Sequence, residues 1–275
     1  MKIGLIGCGK VGTTLCYLLK RDHRIVGVYD INKINERRTK KLLNISRNPD
    51  LETLCRESTV LFIATPDDEI VRAFQTIRPY LTGTTYIYHF SGLLPSTVFK
   101  KTRSSYRGSV HPFASFPFII IPPQRRQYPL FIEGDEPALR TAAVLFRSVR
   151  FSITRIRRNR KRLYHLLGVF ASNFLTGLLY AVRRLSRKLH VNEEVLDGAV
   201  LAIMRETLDN VNRYGLNNSL SGPLQRGDTG TVKEHLHALK NTPELLSLYR
   251  VMSLTITASV KKGKERRVLE KMLKK

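Results

Sequence analysis

Lys2-Ile3-Gly4-Leu5-Ile6-Gly7-Cys8-Gly9-Lys10-Val11-Gly12 decides the fold. Its first five residues read as an apolar strand, and Gly7 to Gly12 form a complete G-x-G-x-x-G that opens a helix at Lys10 and Val11. Directly after a strand and before a helix, that pattern is a pyrophosphate cradle. Gly7 permits the tight turn, Gly9 lets the phosphates approach the backbone, and Gly12 lets helix and strand pack closely. The helix N-terminus offers free N–H groups to the phosphates. Cys8 reads as a small neutral filler of the loop. Asp30 ends the next strand, 18 residues past Gly12. A carboxylate there accepts hydrogen bonds from ribose hydroxyls and repels a 2′-phosphate, which favours NAD over NADP. Lys33, Arg37 and Arg38 follow closely and offset part of that repulsion.

Outward from this loop, strands are expected at Lys2–Ile6, Ile25–Tyr29, Val60–Ala64, Thr85–Tyr88, Gly108–Val110, Leu130–Glu133 and Ser152–Ile156. Helical stretches such as Val11–Leu19 and Glu69–Ile77 separate several of them, and such alternation predicts a parallel sheet. Past Arg160 only helical patterns remain. The expected class is α/β, an N-terminal Rossmann-type sheet over 1–156 followed by an all-helical domain over 157–275. Leu166–Val182 carries no charge and is close to the shortest run that spans a bilayer. Its Ser172, Asn173 and Thr176 point instead to a buried central helix, so no membrane partner is expected. Three cysteines without a C-x-x-C pair exclude a disulfide framework and common zinc modules. No signal-peptide pattern precedes the first strand, and a cytoplasmic protein is expected.

The 275 residues hold 47 Lys+Arg against 22 Asp+Glu, a net charge of +25. Basic residues cluster at Arg155–Arg162 and from Lys261 to Lys275. Such a surplus suits a solvated basic surface, or attraction to nucleic acid, an anionic membrane or acidic metabolites, and charge alone names no partner; without zinc-finger spacing, an aromatic RNA-binding motif or a basic zipper, no specific nucleic acid is expected.

Chemistry-bearing residues gather at expected strand ends. Thr65 and Pro66 follow the third strand and Ser91-Gly92 the fourth, at the carboxyl edge where open α/β sheets bind ligands. Thr65-Pro66-Asp67-Asp68 also reads as a helix start, with threonine as the cap and an acid completing the box. A Ser91 hydroxyl there can contact a carbonyl beside a nicotinamide ring. His111 follows the fifth strand toward the same rim. At about 100° per residue, His165, Ser172, Thr176 and Arg183 share one helix direction, with Asn173 to one side. These groups either satisfy one another within a bundle or face a cleft, where His165 could serve as general acid. Arg226, in a turn-rich loop, either holds a substrate carboxylate or braces the loop, and Asp228 or Thr231 caps the next helix. His235 and His237, two apart on a helix, cannot face one metal, and no metal is expected.

The set GCGKVG, ATPDD, HFSG, HPFASF, EGD, YHLLGVFASN and SGPLQRGDTGTVKEHL resembles a family of Rossmann-like oxidoreductases whose helical C-terminal domain has no known function. More distantly, the chain is similar to the β-hydroxyacid dehydrogenase, pyrroline-carboxylate reductase and ketopantoate reductase group. In several of those enzymes a lysine and an asparagine on the first C-terminal helix carry catalysis; here His165 occupies the comparable region and the apolar helix lacks a lysine. The resemblance implies hydride transfer from NAD or NADP to a carbonyl or imine of a small anionic metabolite, such as the 2-oxoacid ketopantoate. The family's lysine has no counterpart in the apolar helix, so the roles are read from this chain's own residues: His165 is expected as proton donor, Ser91 and Asn173 as partners of the reacting oxygen, and His111, Ser172 and Arg226 on the substrate side. The resemblance also implies a homodimer. The competing expectation is a dinucleotide-sensing regulator, or a nucleic-acid-associated protein, without turnover.

Overall fold

Seven strands form one sheet: β1 Lys2–Ile6, β2 Arg24–Tyr29, β3 Val60–Ile63, β4 Thr85–His89, β5 Ser105–Pro112, β6 Pro129–Gly134 and β7 Ser152–Arg155. The computed structural model describes residues 1–103, 105–119, 129–149, 151–189, 191–260 and 263–274, so residues 261, 262 and 275 of the basic tail lie outside the described residues. Strand order is β2-β1-β3-β4-β5-β6-β7. β1 to β5 pair in parallel. β6 runs antiparallel to β5, with His111 opposite Phe131, and β7 is parallel to β6. The sheet is therefore mostly parallel rather than wholly so. A parallel neighbour needs a long crossover, and residues 113–119, the described part of the β5–β6 connection, contain no helix.

Successive strand residues face opposite sides, and two apolar clusters result. Ile3, Leu5, Val60 and Phe62 join Leu15 and Leu19 of α1 (Lys10–Leu19) and Ala142 and Phe146 of α5 (Glu136–Arg147). Ile6, Leu61 and Ile63 join Leu54 of α3 (Leu51–Glu57) and Ile70, Phe74 and Ile77 of α4 (Ile70–Ile77). Between them in sequence lies α2 (Lys33–Leu43), capped by Asn32. α4 starts later than the sequence suggests. A 3₁₀ turn over Asp67–Glu69 precedes it, no side chain caps either element, and the Asp67 carboxylate is drawn to Ser91 instead.

The chain divides into compact units at Met1–Leu175 and Thr176–Lys275. The expected boundary at 156/157 thus falls inside the first unit. The reason is α6 (Lys161–Gly168), whose Lys161 and Tyr164 side chains are buried against β5 and the β4 loop. After α6 comes a π-helical segment, Val169–Phe174. Its wider turn breaks the assumed 100° spacing, so His165, Ser172, Thr176 and Arg183 do not form one straight stripe.

The expected burial of the apolar helix is also overturned. Arg158–Ser186 is long and apolar enough to cross a membrane by length and composition, and none of its most apolar window is buried. Leu167, Phe170 and Phe174 are all more than half exposed. The second unit holds α7 (Leu175–Ser186), α8 (Glu193–Tyr214), α9 (Leu216–Ser219), α10 (Pro223–Arg226), α11 (Thr229–Ala238), α12 (Pro243–Val260) and α13 (Gly263–Leu273). Small clusters around Ala181, Leu239 and Leu245, and around Val232, Leu269 and Leu273, hold it together. Asp228, rather than Thr231, caps α11: its carboxylate accepts from Thr231 N–H and hydroxyl.

Candidate active site

The glycine loop is built as its sequence demands. Gly7 has φ +87°, and a Cβ there would lie 2.7 Å from backbone atoms of Ala64 and Thr65. At Gly12 a Cβ would meet Ala64 and Leu5 at 2.5 and 2.8 Å. Gly9, the N-cap of α1, has open space around it, touching only Ala64 O at 3.5 Å. Thr65 Oγ1 is buried beside this loop and has no hydrogen-bond partner, so it does not cap a helix. An open helix terminus, glycines with no room for side chains and an orphaned hydroxyl fit a dinucleotide pyrophosphate.

Asp30 ties the loop to β2. One carboxylate oxygen accepts from Cys8 N–H at 2.6 Å, the other from Asn32 N–H at 2.7 Å. Each oxygen retains a lone pair for a ribose hydroxyl, so capping and ribose recognition are compatible. Arg38 donates to Cys8 O at 3.3 Å, which brings a cation to the same corner. Burial, with the Asp30 charge second, pushes the Cys8 thiol up to about 12, so it stays neutral. Lys10 and Pro66 are exposed and Val11 is half-buried on the rim of the cradle.

A second cluster lies at the carboxyl ends of β4 and β5. The Ser91 hydroxyl donates to Asp67 Oδ2 at 2.6 Å and accepts from Leu93 and Leu94 N–H at 3.1 and 2.9 Å. Its one proton and both lone pairs are used. Ser91 therefore shapes the turn, and the expected hydroxyl contact to a reacting oxygen is not available from it.

The turn brings Gly92 against two imidazoles. A Cβ at Gly92 would lie 2.6 Å from His165 Nδ1 and 2.9 Å from His111 Nε2. The two rings are 6.2 Å apart and nearly perpendicular. His111 lies within β5 rather than after it. Burial first, then the charges of Lys161 and His165, lowers its pKa to about 4, so it is neutral at pH 7.

Lys161 is the residue the sequence reading missed. It sat unmarked in the run Arg155–Arg162, although it lies four residues before His165 and so on the same helix face. It is 2% exposed, and its ammonium donates to Ser91 O at 2.9 Å and to Ser109 Oγ at 2.5 Å. Burial lowers its pKa to about 8, partly offset by Glu133 and Asp67. Glu133, itself 4% exposed, is held by Ser96 and by Arg158 at 3.4 Å. Behind them, His89 is completely buried and accepts from Ser91 N–H; burial, then Lys161, lowers its pKa to about 3.

The remaining expected residues lie on later helical segments. Ser172 is half-buried and Asn173 exposed on the π-helical segment. Arg226 is an exposed residue of α10, in the second unit. His235 bonds Tyr249 Oη at 3.1 Å, and among the described residues no cluster of three His, Cys, Asp or Glu could hold a metal.

Comparison with known proteins places the fold. Residues 1–102 match a Rossmann-like domain, and residues 128–256 match a domain of unknown function (DUF2520). No curated protein matches the chain. A Bacteroides fragilis protein provisionally named an NADP oxidoreductase is similar at TM-score 0.78, with 22% identity over 93% of this chain and 97% of that one. Thermotoga maritima protein TM1727 is similar at 0.68, with 23% identity over 99% and 100%. Plasmodium falciparum pyrroline carboxylate reductase, solved with NADP bound, is similar at 0.62, with 13% identity over 99% and 98%. These likenesses establish a Rossmann-like domain followed by a helical C-terminal region.

Proposed function

We propose that this chain, a Rossmann-like domain joined to a helical domain of unknown function, is a nicotinamide-dinucleotide-dependent reductase of small anionic carbonyl or imine compounds. The observation that carries the reading is one edge of one sheet. The glycine loop after β1, Thr65 after β3, Gly92 after β4 and His111 in β5 all lie at or near carboxyl ends of neighbouring parallel strands. That is where open α/β sheets take their ligands. The structural neighbours named for NADP support the same class.

In this reading Gly7, Cys8, Gly9, Lys10, Val11 and Gly12 cradle the pyrophosphate, Asp30 meets the ribose, and Thr65 and Pro66 border the coenzyme. The bound coenzyme supplies the hydride. His165 protonates the reacting oxygen or nitrogen, and His111 contacts the same atom. Lys161 fixes the Ser91–Gly92 turn through the Ser91 carbonyl. The basic residues around Lys161 favour an anion. The deciding experiment titrates NADH and NADPH into the purified protein, then assays turnover on 2-oxoacids, ketopantoate among them, and cyclic imines. Coenzyme binding without turnover on any of them would favour a dinucleotide sensor.

Asp30 makes NADH the preferred coenzyme. Asp30→Ser is expected to move the ratio of NADH to NADPH dissociation constants toward NADPH by about tenfold, the scale of one charge-assisted contact. The loop also loses its bond to Cys8 N–H, but that affects both coenzymes alike, so the ratio is the informative quantity. An unchanged ratio would transfer the role to Arg38 or its neighbours.

The chain is also proposed to work as a homodimer. Leu167, Phe170 and Phe174, and Val195, Ile203 and Leu208 on α8, are exposed apolar side chains in need of a cover. Sedimentation equilibrium should return twice the chain mass; a monomer at micromolar concentration would contradict it.

A further inference from the structure

The Tyr164 hydroxyl lies 2.6 Å from His111 Nδ1, and that nitrogen is its only hydrogen-bond partner among the described residues. We infer that Tyr164 is a positioning residue that holds His111 as the Nε2–H tautomer, so that His111 presents a hydrogen-bond donor beside Gly92 to the oxygen or nitrogen of a bound carbonyl or imine compound.

The argument is an accounting of protons. Tyr164 is 5% exposed and enclosed by aromatic rings, with Phe131 at 4.4 Å and Phe113 at 5.6 Å between centroids. Its burial raises the phenol pKa, so the O–H proton stays on at neutral pH. A buried O–H needs an acceptor, and leaving it without one is destabilising. A neutral imidazole has one donor and one acceptor nitrogen. Were Nδ1 to carry the proton, it would donate to the Tyr164 oxygen and strand the phenol proton. With Nδ1 as acceptor, every proton is used.

The proton then sits on Nε2, which makes no hydrogen bond within the described residues and lies on the Gly92 side of the ring. His165 Nδ1 borders the same face of the turn, 2.6 Å from where a Gly92 Cβ would stand. A ligand atom that accepts from His111 Nε2 on this side of the turn meets a fixed donor, with the His165 imidazole beside it. The Lys161 ammonium and His165 disfavour a second proton on His111, and Tyr164 stays a phenol, so the donor is a neutral imidazole. The substrate consequence rests on the reductase reading; the tautomer does not.

The test is a long-range ¹H–¹⁵N correlation spectrum of ¹⁵N-histidine-labelled full-length protein at pH 7, with His111 assigned by the signals missing from His111→Asn. The expected result is a pyrrole-type Nε2 and a pyridine-type Nδ1 for His111. Tyr164→Phe should lose this single tautomer, its two nitrogens moving toward averaged shifts. A pyrrole-type Nδ1 in the unsubstituted protein, or an unchanged His111 in Tyr164→Phe, would overturn the inference. If the variant fails to fold, the spectrum of the unsubstituted protein still decides the tautomer. A protein with the expected tautomer that binds neither NADH nor NADPH would retire the reductase reading and leave the tautomer standing.

Discussion

Replacing His165 with alanine is expected to lower turnover by about 10²–10⁴-fold, the usual contribution of positioned proton transfer, and to leave the NADH dissociation constant unchanged. The two effects separate because of where the groups sit. The proposed dinucleotide cradle is made by the loop after β1, by Asp30 and by Thr65, whereas His165 lies on α6 beside Gly92. Steady-state kinetics on the substrate found in the panel, paired with a coenzyme titration, measures both. Turnover within a few-fold of the unsubstituted protein would assign the proton to another group. His111 is a poor replacement, because burial and the Lys161 ammonium keep it neutral. Loss of coenzyme binding would mean that α6 shapes the cradle.

The second large effect is on stability. Lys161→Met is expected to stabilise the fold at pH 7 by about 1–2 kcal/mol while impairing the site. Burial takes the lysine from its ordinary 10.5 to about 8, a displacement worth about 3 kcal/mol against the charged form. Methionine fills similar volume without a charge, which in buried settings is often neutral or favourable. Against this stands the Ser91 carbonyl, which loses a donor at 2.9 Å and keeps only a long contact from Ser109 Oγ at 3.4 Å; that costs about 1 kcal/mol.

The pH dependence follows from the same displacement. Between about pH 8 and 10.5 the unfolded chain holds the Lys161 proton and the folded chain does not. The contribution of this group to unfolding free energy therefore rises with pH across that window, and it is lost as pH falls through about 8. Lys161→Met should abolish this rise. Denaturant unfolding at pH 7 and at pH 10 measures both effects. A destabilised variant at pH 7 would show that the two hydrogen bonds and the Glu133 attraction outweigh the cost of the buried charge.

Seven strands, the glycine turn and the place of Asp30 were legible in the residues, because short apolar runs and a turn that excludes Cβ atoms act within a few positions of the chain. The φ of +87° at Gly7 is such a local demand. His111, Gly92 and His165 were each visible as candidates, but not their convergence on one point. The antiparallel β6 escaped because the pairing direction is set by the path of a connection rather than by strand composition. The exposed run of α6 and α7 escaped because an apolar helix reads alike whether its cover is its own chain or something else.

Lys161 shows the limit best. Within Arg155–Arg162 only the four-residue spacing to His165 sets Lys161 apart, and that spacing does not reveal burial, since its partners are Ser91, 70 residues away, and Ser109, 52 away. Tyr164 likewise meets His111 across 53 residues, and the Ser91 hydroxyl is consumed by Asp67 across 24. Backbone conformation answers to neighbours in sequence, so the sequence alone determined the strands and the glycine turn. Which polar groups are buried, and which proton each one holds, depends on partners that only folding brings within 3 Å, so the tertiary structure alone decided the second half of the site.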